Sequence, residues 1–235
     1  MIFSYLQNGL TKDELILILL TFPVVLISLV IHELAHGWMA KKLGDPTAKY
    51  MGRLTFNPLS HLDPIGTVSM LLFGIGWAKP VPIDPRYFKN PKKGMALVGL
   101  AGPVSNLIIA FTASLLRRVT IAIYAYALPQ SAMNPTSDRV FTIIYALFYI
   151  FEILNISLAV FNLIPVPPFD GSRVFYFLLP DKYYFGVMRY ERQIMMITMV
   201  VLFLGVLDMP LYYARMGIMN LFDLIFRWIP YIGSV

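Results

Sequence analysis

Cysteine is absent from the 235 residues, and histidine occurs only three times. The first absence excludes a disulfide framework, a cysteine nucleophile and any thiolate metal site, so a metal bound by this chain takes nitrogen and oxygen ligands. Charge is also scarce. Asp, Glu, Lys and Arg make up 14% of the chain and hydrophobic residues 58%, too few charged groups to cover a soluble globule of this length. The chain therefore reads as an integral membrane protein. Its net charge of +6 does not point to nucleic acid, because no basic stretch is interleaved with aromatics on which bases could stack. Lys and Arg gather in short segments between apolar runs, where they act as topology signals facing anionic headgroups. Residues 1–8 show neither a basic leader nor a small-residue cleavage site, so the first apolar run is expected to be a retained span. No internal repeat, low-complexity linker or soluble domain stands out, and the expected organisation is one domain over 1–235.

Span lengths and basic residues set the expected topology. The apolar run 15–31 leads directly into His32; about 17 helical residues rise roughly 25 Å, against a hydrocarbon core of roughly 30 Å. The basic loop that follows, with Lys41, Lys42, Lys49 and Arg53, belongs on the cytoplasmic side by the positive-inside rule. Residues 65–77 are too few for a straight crossing and contain three glycines, which suggests a re-entrant piece. The basic segment 79–93 then returns to the cytoplasmic face. Residues 95–116 are long enough to cross, with Arg117 and Arg118 marking the outer end unless the helix extends towards Leu128. Residues 130–139 read as a loop and 140–164 cross back. Two weaker candidates follow at 194–207 and 211–229. The expected fold class is an all-α polytopic membrane bundle of four to six transmembrane or re-entrant segments, with a short extended or hairpin region near 77–90.

Against this background one motif carries chemistry. His32-Glu33-Leu34-Ala35-His36 closes the first apolar run, where ionisable groups are costly and imply function. Four residues apart on a helix, the two imidazoles project from one face, one turn above the other, as ligands of a single zinc ion do. Glu33 is then placed to take a proton from an attacking water. A catalytic zinc site with one open position needs a third protein ligand. The crossing at 140–164 delivers Asp170 to the same face as the histidines, and prolines 165, 167 and 168 keep the chain extended so that a carboxylate can turn inward. His61 and Asp63 lie on that side too, and spacing alone leaves them open as ligands. Glu152, mid-span, is expected to pair within the bundle, and Asp84 before Pro85 reads as a turn residue. Gly94, Gly99 and Gly102 let helices approach, with Asn106 able to hydrogen-bond across them. Met195, Met196 and Met199 read as core or lipid-facing filler, not as a copper site.

Together with Asn57-Pro58, His61 and Asp63, Gly102-Pro103-Val104-Ser105-Asn106, and Asn162-Leu163-Ile164-Pro165 leading to Asp170-Gly171, the motif resembles the site-2 protease family of intramembrane zinc metalloproteases. The likeness runs over about 15–173, the expected catalytic core, with accessory membrane segments at about 190–230. No PDZ-like or CBS-like insertion is visible, so the chain resembles the minimal members. The resemblance implies one zinc per chain on His32, His36 and Asp170, with Glu33 as general base. It places Asn162 at the substrate or its oxyanion, and gives His61 a motif position of less settled role. It further implies an endopeptidase in the cell membrane, multi-pass, opening towards the cytoplasm and cutting single-span membrane proteins in the bilayer. The extended chain near 77–85 could offer such a substrate a strand edge. A membrane metal transporter and a non-proteolytic helix-binding relative are the alternative functions.

Overall fold

A computed structural model describes residues 11–66, 78–127, 129 and 134–229. The first helix, α1 (Lys12–Lys42), begins with a reciprocal cap: Thr11 Oγ1 accepts the Glu14 N–H, and the Glu14 carboxylate accepts the Thr11 N–H at 2.9 Å. Between 15 and 31 its residues are apolar on every face apart from Thr21 and Ser28, which suits a helix surrounded by lipid and other helices. Lys41 and Lys42 occupy the last turn, where cations offset the helix dipole. Gly44, at φ +109°, then reverses the chain. A single short turn, α2 (Thr47–Tyr50), follows.

The second long helix, α3 (Pro91–Ala122), has Asn90 as its N-cap and Pro91 at its first position, and continues through a wider turn at Ile123–Ala127. Asn134 caps α4 (Pro135–Asn162) in the same way. These three helices are long and apolar enough to cross a membrane. Four shorter helices complete the described chain: α5 (Gly171–Leu178), α6 (Asp181–Arg189), α7 (Glu191–Phe203) and α8 (Asp208–Ile225). The last two together are also long and apolar enough for one crossing but meet at 81°. Gly205, at φ +70°, makes that bend. No β-strand occurs among the described residues; the extended chain at 79–84 is joined to the preceding loop by one antiparallel bridge, Leu62 with Ala78. The protein is thus an all-α, multi-pass membrane protein. The expected re-entrant piece at 65–77 lies mostly outside the described residues.

The bundle is organised around α3, which packs against α1, α4 and α5. Ala110 and Ile156 form a buried apolar cluster with Phe222 and Phe226 of the C-terminal region, docking α8 onto α3 and α4. Of the two readings of Arg117 and Arg118, the structure bears out the helix that extends towards Leu128. The arginines do not mark the outer end of a crossing, because α3 continues past them and both are buried. Arg117 donates to the fully buried Glu152 carboxylate on α4 at 2.6 Å, and both arginines reach Asp223 on α8. Neutralised in place, the charges remain inside the bundle. Glu152 pairs within the bundle, as its mid-span position suggested.

Candidate metal centre

Helical geometry places His32 and His36 one turn apart on α1, with ring centroids 4.6 Å apart and the rings nearly perpendicular. The third group arrives from another part of the chain. After α4, residues 163–169 turn back against the bundle, and Asp170 begins α5 with its carboxylate facing the two rings. Gly171 permits this return, since a Cβ there would lie 2.3 Å from the Leu163 carbonyl oxygen. The facing atoms form a nearly equilateral triangle: His32 Nε2 to His36 Nε2 is 3.1 Å, and Asp170 Oδ2 is 3.2 Å from each.

Protonation at this triangle follows from what lies behind the rings. His36 Nδ1 is 2.7 Å from the Val98 carbonyl, which can only accept, so that nitrogen carries the proton. His32 Nδ1 is 2.5 Å from Asn106 Oδ1. The Asn106 amide nitrogen is engaged elsewhere, donating to Asn155 Oδ1 at 2.7 Å. The Asn155 nitrogen in turn donates to Ser28 Oγ and the Phe151 carbonyl, each at 2.8 Å. Ser28, Asn106 and Asn155 are each fully buried, so this relay across three helices has no alternative partner in water. It turns the Asn106 oxygen towards His32 and fixes the proton on Nδ1.

With Nδ1 carrying the proton, the Nε2 atom of each neutral ring presents its lone pair to the other ring and to a carboxylate oxygen. Asp170 Oδ2 is buried and lacks a hydrogen-bond donor. Three electron-rich atoms this close repel one another unless a proton or a metal cation lies among them. A tetrahedral zinc ion, about 2.0–2.1 Å from its ligands, separates those ligands by about 3.3–3.4 Å. The observed triangle fits that spacing, and the donor set of two imidazoles and one carboxylate, with one face open, fits a catalytic zinc. Among the described residues this is the single group of three or more acids and histidines placed to hold a metal.

The open face looks into a cavity of about 540 Å³ that also exposes Glu33, Val81 and Asn162. Glu33 Oε2 accepts the Val81 N–H at 2.9 Å. Asn162 lies at the cavity wall, its side-chain nitrogen donating to the Leu158 carbonyl at 3.0 Å. A neighbouring groove of about 610 Å³ between α4 and α8 shares Leu158 and Phe161 with this cavity. His61 is elsewhere: its ring is buried with Nε2 on the Thr55 carbonyl at 2.8 Å, and it does not line the cavity. Asp63 accepts the Gly66 N–H. Neither joins the triangle.

Comparisons with known proteins place the chain in a family. The sequence model of peptidase family M50 matches residues 20–207. The chain belongs to that family. A candidate zinc metalloprotease of Bacillus subtilis is 45% identical over 156 residues, covering 66% of this chain and 67% of the relative. A zinc metalloprotease of Methanocaldococcus jannaschii is 29% identical over 162 residues, 69% of this chain but 35% of that protein. A candidate zinc metalloprotease of Mycolicibacterium smegmatis is 28% identical over 152 residues, 62% of this chain and 52% of the relative. The chain thus spans between about a third and about two thirds of these relatives. No solved structure matches it.

The roles of several contributors to the site were not apparent from the sequence. Gly102 read as helix packing, yet a Cβ there would lie 2.5 Å from Cε1 of both histidines and from His36 Nε2. Asn155 and Ser28 were not singled out in the sequence. For Ser28 a signal existed, since it precedes His32 by one helical turn and shares its face. Val98 acts through a backbone carbonyl and left no side-chain signal at all.

Proposed function

We propose that this M50 peptidase is a zinc-dependent intramembrane endopeptidase that hydrolyses peptide bonds in or near the transmembrane segments of single-span membrane proteins. The observation that carries this reading is the triangle of two imidazole nitrogens and a carboxylate oxygen opening, beside a glutamate, into a cavity inside a membrane bundle. His32 Nε2, His36 Nε2 and Asp170 Oδ2 are the proposed ligands. Zinc, when bound, supplies Lewis acidity that polarises a carbonyl and makes water acidic enough to act near neutral pH. Glu33 removes the proton from the attacking water on its free carboxylate oxygen and passes it to the leaving amine. Asn162, at the wall of the same cavity, is the proposed donor to the substrate carbonyl. The substrate helix unwinds locally, because its peptide bonds are otherwise hydrogen-bonded and shielded.

The four basic residues at 41–53 and five at 79–93 flank the metal motif, which favours a site opening towards the cytoplasm of a cell-membrane protein. Reporter fusions at Thr47 and Lys92 that both report an external position would reverse that orientation. Metal transport is the weaker reading, since the described residues provide one ligand group, not a series of them. The deciding experiment is co-expression of the wild type and Glu33→Gln with a panel of single-span membrane proteins. Wild type should produce cleaved fragments, and Glu33→Gln should leave those same proteins intact while retaining zinc. Equal cleavage by both would refute the assigned base.

A further inference from the structure

We propose that the extended segment 78–84 is a rigid scaffold that aims Glu33 through the backbone N–H of Val81, and that Arg53 and Asp45 are the positioning residues anchoring it. The inference rests on the peptidase reading above and assigns the device that orients its base.

Local sequence makes the segment stiff. In Lys79-Pro80-Val81-Pro82, prolines fix φ at two positions, and each residue before a proline is restricted to extended conformations. The prolines have no N–H, so Val81 is the sole donor in the middle of this run. Its N–H points at Glu33 Oε2, 2.9 Å away. Other polar groups of the segment are held from outside. Lys79 N–H donates to the His61 carbonyl at 2.8 Å, and the Arg53 guanidinium donates to the Lys79 carbonyl at 2.7 Å and the Pro80 carbonyl at 3.3 Å. At the far end, Asp84 N–H donates to Asp45 Oδ2 at 2.8 Å. Asp45 is itself buried, with its other oxygen taken by the Thr47 N–H at 2.9 Å.

A missing side chain brings the segment close to α1. Gly37 follows Glu33 by one helical turn, and a Cβ there would meet Leu54 Cδ2 at 2.5 Å and Val81 Cγ1 at 3.1 Å. Without that atom the extended segment lies directly on the helix face that carries the base. A glutamate side chain has freely rotating bonds, and a charge-assisted hydrogen bond to one oxygen holds the other in a fixed direction towards the cavity. The inward use of these groups also changes the reading of the segment as a substrate strand edge. The N–H groups of residues 79, 81 and 84 are engaged and residues 80 and 82 have none, which leaves few donors for an added strand.

The pair Val81→Pro and Val81→Ala separates the donor from the side chain. Proline preserves an extended backbone and deletes the N–H; alanine keeps the N–H and trims the packing. The full-length protein in detergent is assayed on a reporter carrying a single transmembrane segment, with zinc content and melting temperature measured in parallel. Because a base misplaced by about 1 Å costs on the order of a hundredfold, Val81→Pro should lower kcat by roughly ten- to a hundredfold with KM and zinc close to wild type. Val81→Ala, which keeps the N–H, should lose several-fold less activity than Val81→Pro. Arg53→Met should lower kcat in the same way, with partial recovery in Arg53→Lys, which can still donate to one carbonyl. The proposal is overturned if Val81→Pro cleaves at the wild-type rate, if Val81→Ala falls as far, or if the loss in Val81→Pro comes with loss of zinc or of melting temperature. Wild type and Glu33→Gln run alongside: failure of wild type to cleave, or full activity of Glu33→Gln, rejects the peptidase reading itself.

Discussion

Adding one methyl group at Gly102 should abolish metal binding. The new Cβ would sit 2.5 Å from Cε1 of His32, Cε1 of His36 and Nε2 of His36, where non-bonded carbons prefer about 3.5–4.0 Å. Two rings must therefore move by about 1 Å at once, or α3 must withdraw from α1. Neither ring can retreat freely. Asn106 and the Val98 carbonyl hold their Nδ1 atoms, and any withdrawal of α3 breaks those same bonds. Metal–ligand distances tolerate only about ±0.2 Å, and losing orienting partners typically costs ten- to a hundredfold in affinity. With both histidines displaced, Gly102→Ala should bind zinc at least about a hundredfold more weakly, or about 2.7 kcal/mol at 1.36 kcal/mol per tenfold, and lose proteolysis with it. Overpacking adds about 1–3 kcal/mol of destabilisation. The assay is zinc content of purified protein across a series of zinc-buffered solutions. Gly217→Ala serves as control, because nothing lies within 4 Å of a Cβ at that helical position. Wild-type zinc affinity in Gly102→Ala would refute the packing argument and the triangle on which it depends.

Other substitutions test the remaining parts. Asp170→Ala should lose zinc while His61→Ala keeps it, since His61 faces Thr55 and not the triangle; metal analysis showing the reverse would reassign the third ligand. Asn162→Ala should lower the cleavage rate about a hundred- to a thousandfold, the usual cost of one oxyanion donor, with zinc content and melting temperature nearly intact. A parallel fall in stability would instead assign Asn162 to pinning the end of α4 through its bond to Leu158. Glu152→Ala leaves Arg117 buried with the longer 3.3 Å contact to Asp223 as its remaining carboxylate, beside the Tyr145 ring. Breaking a buried pair costs about 3–5 kcal/mol, so the variant should show a clear drop in melting temperature in detergent, and an unchanged value would mean that water reaches the pair.

Some of this protein could be read from its residues in order. His32 and His36 share a face because an α-helix repeats every 3.6 residues, a local rule that needs no partner. The apolar runs before His32 and after Asn134 announced membrane helices because a hydrocarbon solvent imposes composition on any span, and the proline-rich approach to Asp170 announced a chain that leaves helix. Tertiary structure decided the rest. That Asp170 rather than His61 or Asp63 closes the triangle depends on how α4 and the turn after it pack, which no spacing records. The tautomer of His32 is set by Asn106, Asn155 and Ser28 on three different helices, and an asparagine in an apolar run looks the same whether it faces lipid or a neighbour. Arg117 and Arg118 resembled the end of a span because isolated charges belong at an interface, and only the approach of Glu152 and Asp223 made their burial tolerable. Gly102 is the sharpest case: its contribution is the space it leaves for two imidazoles, and space between helices exists only once the helices have packed.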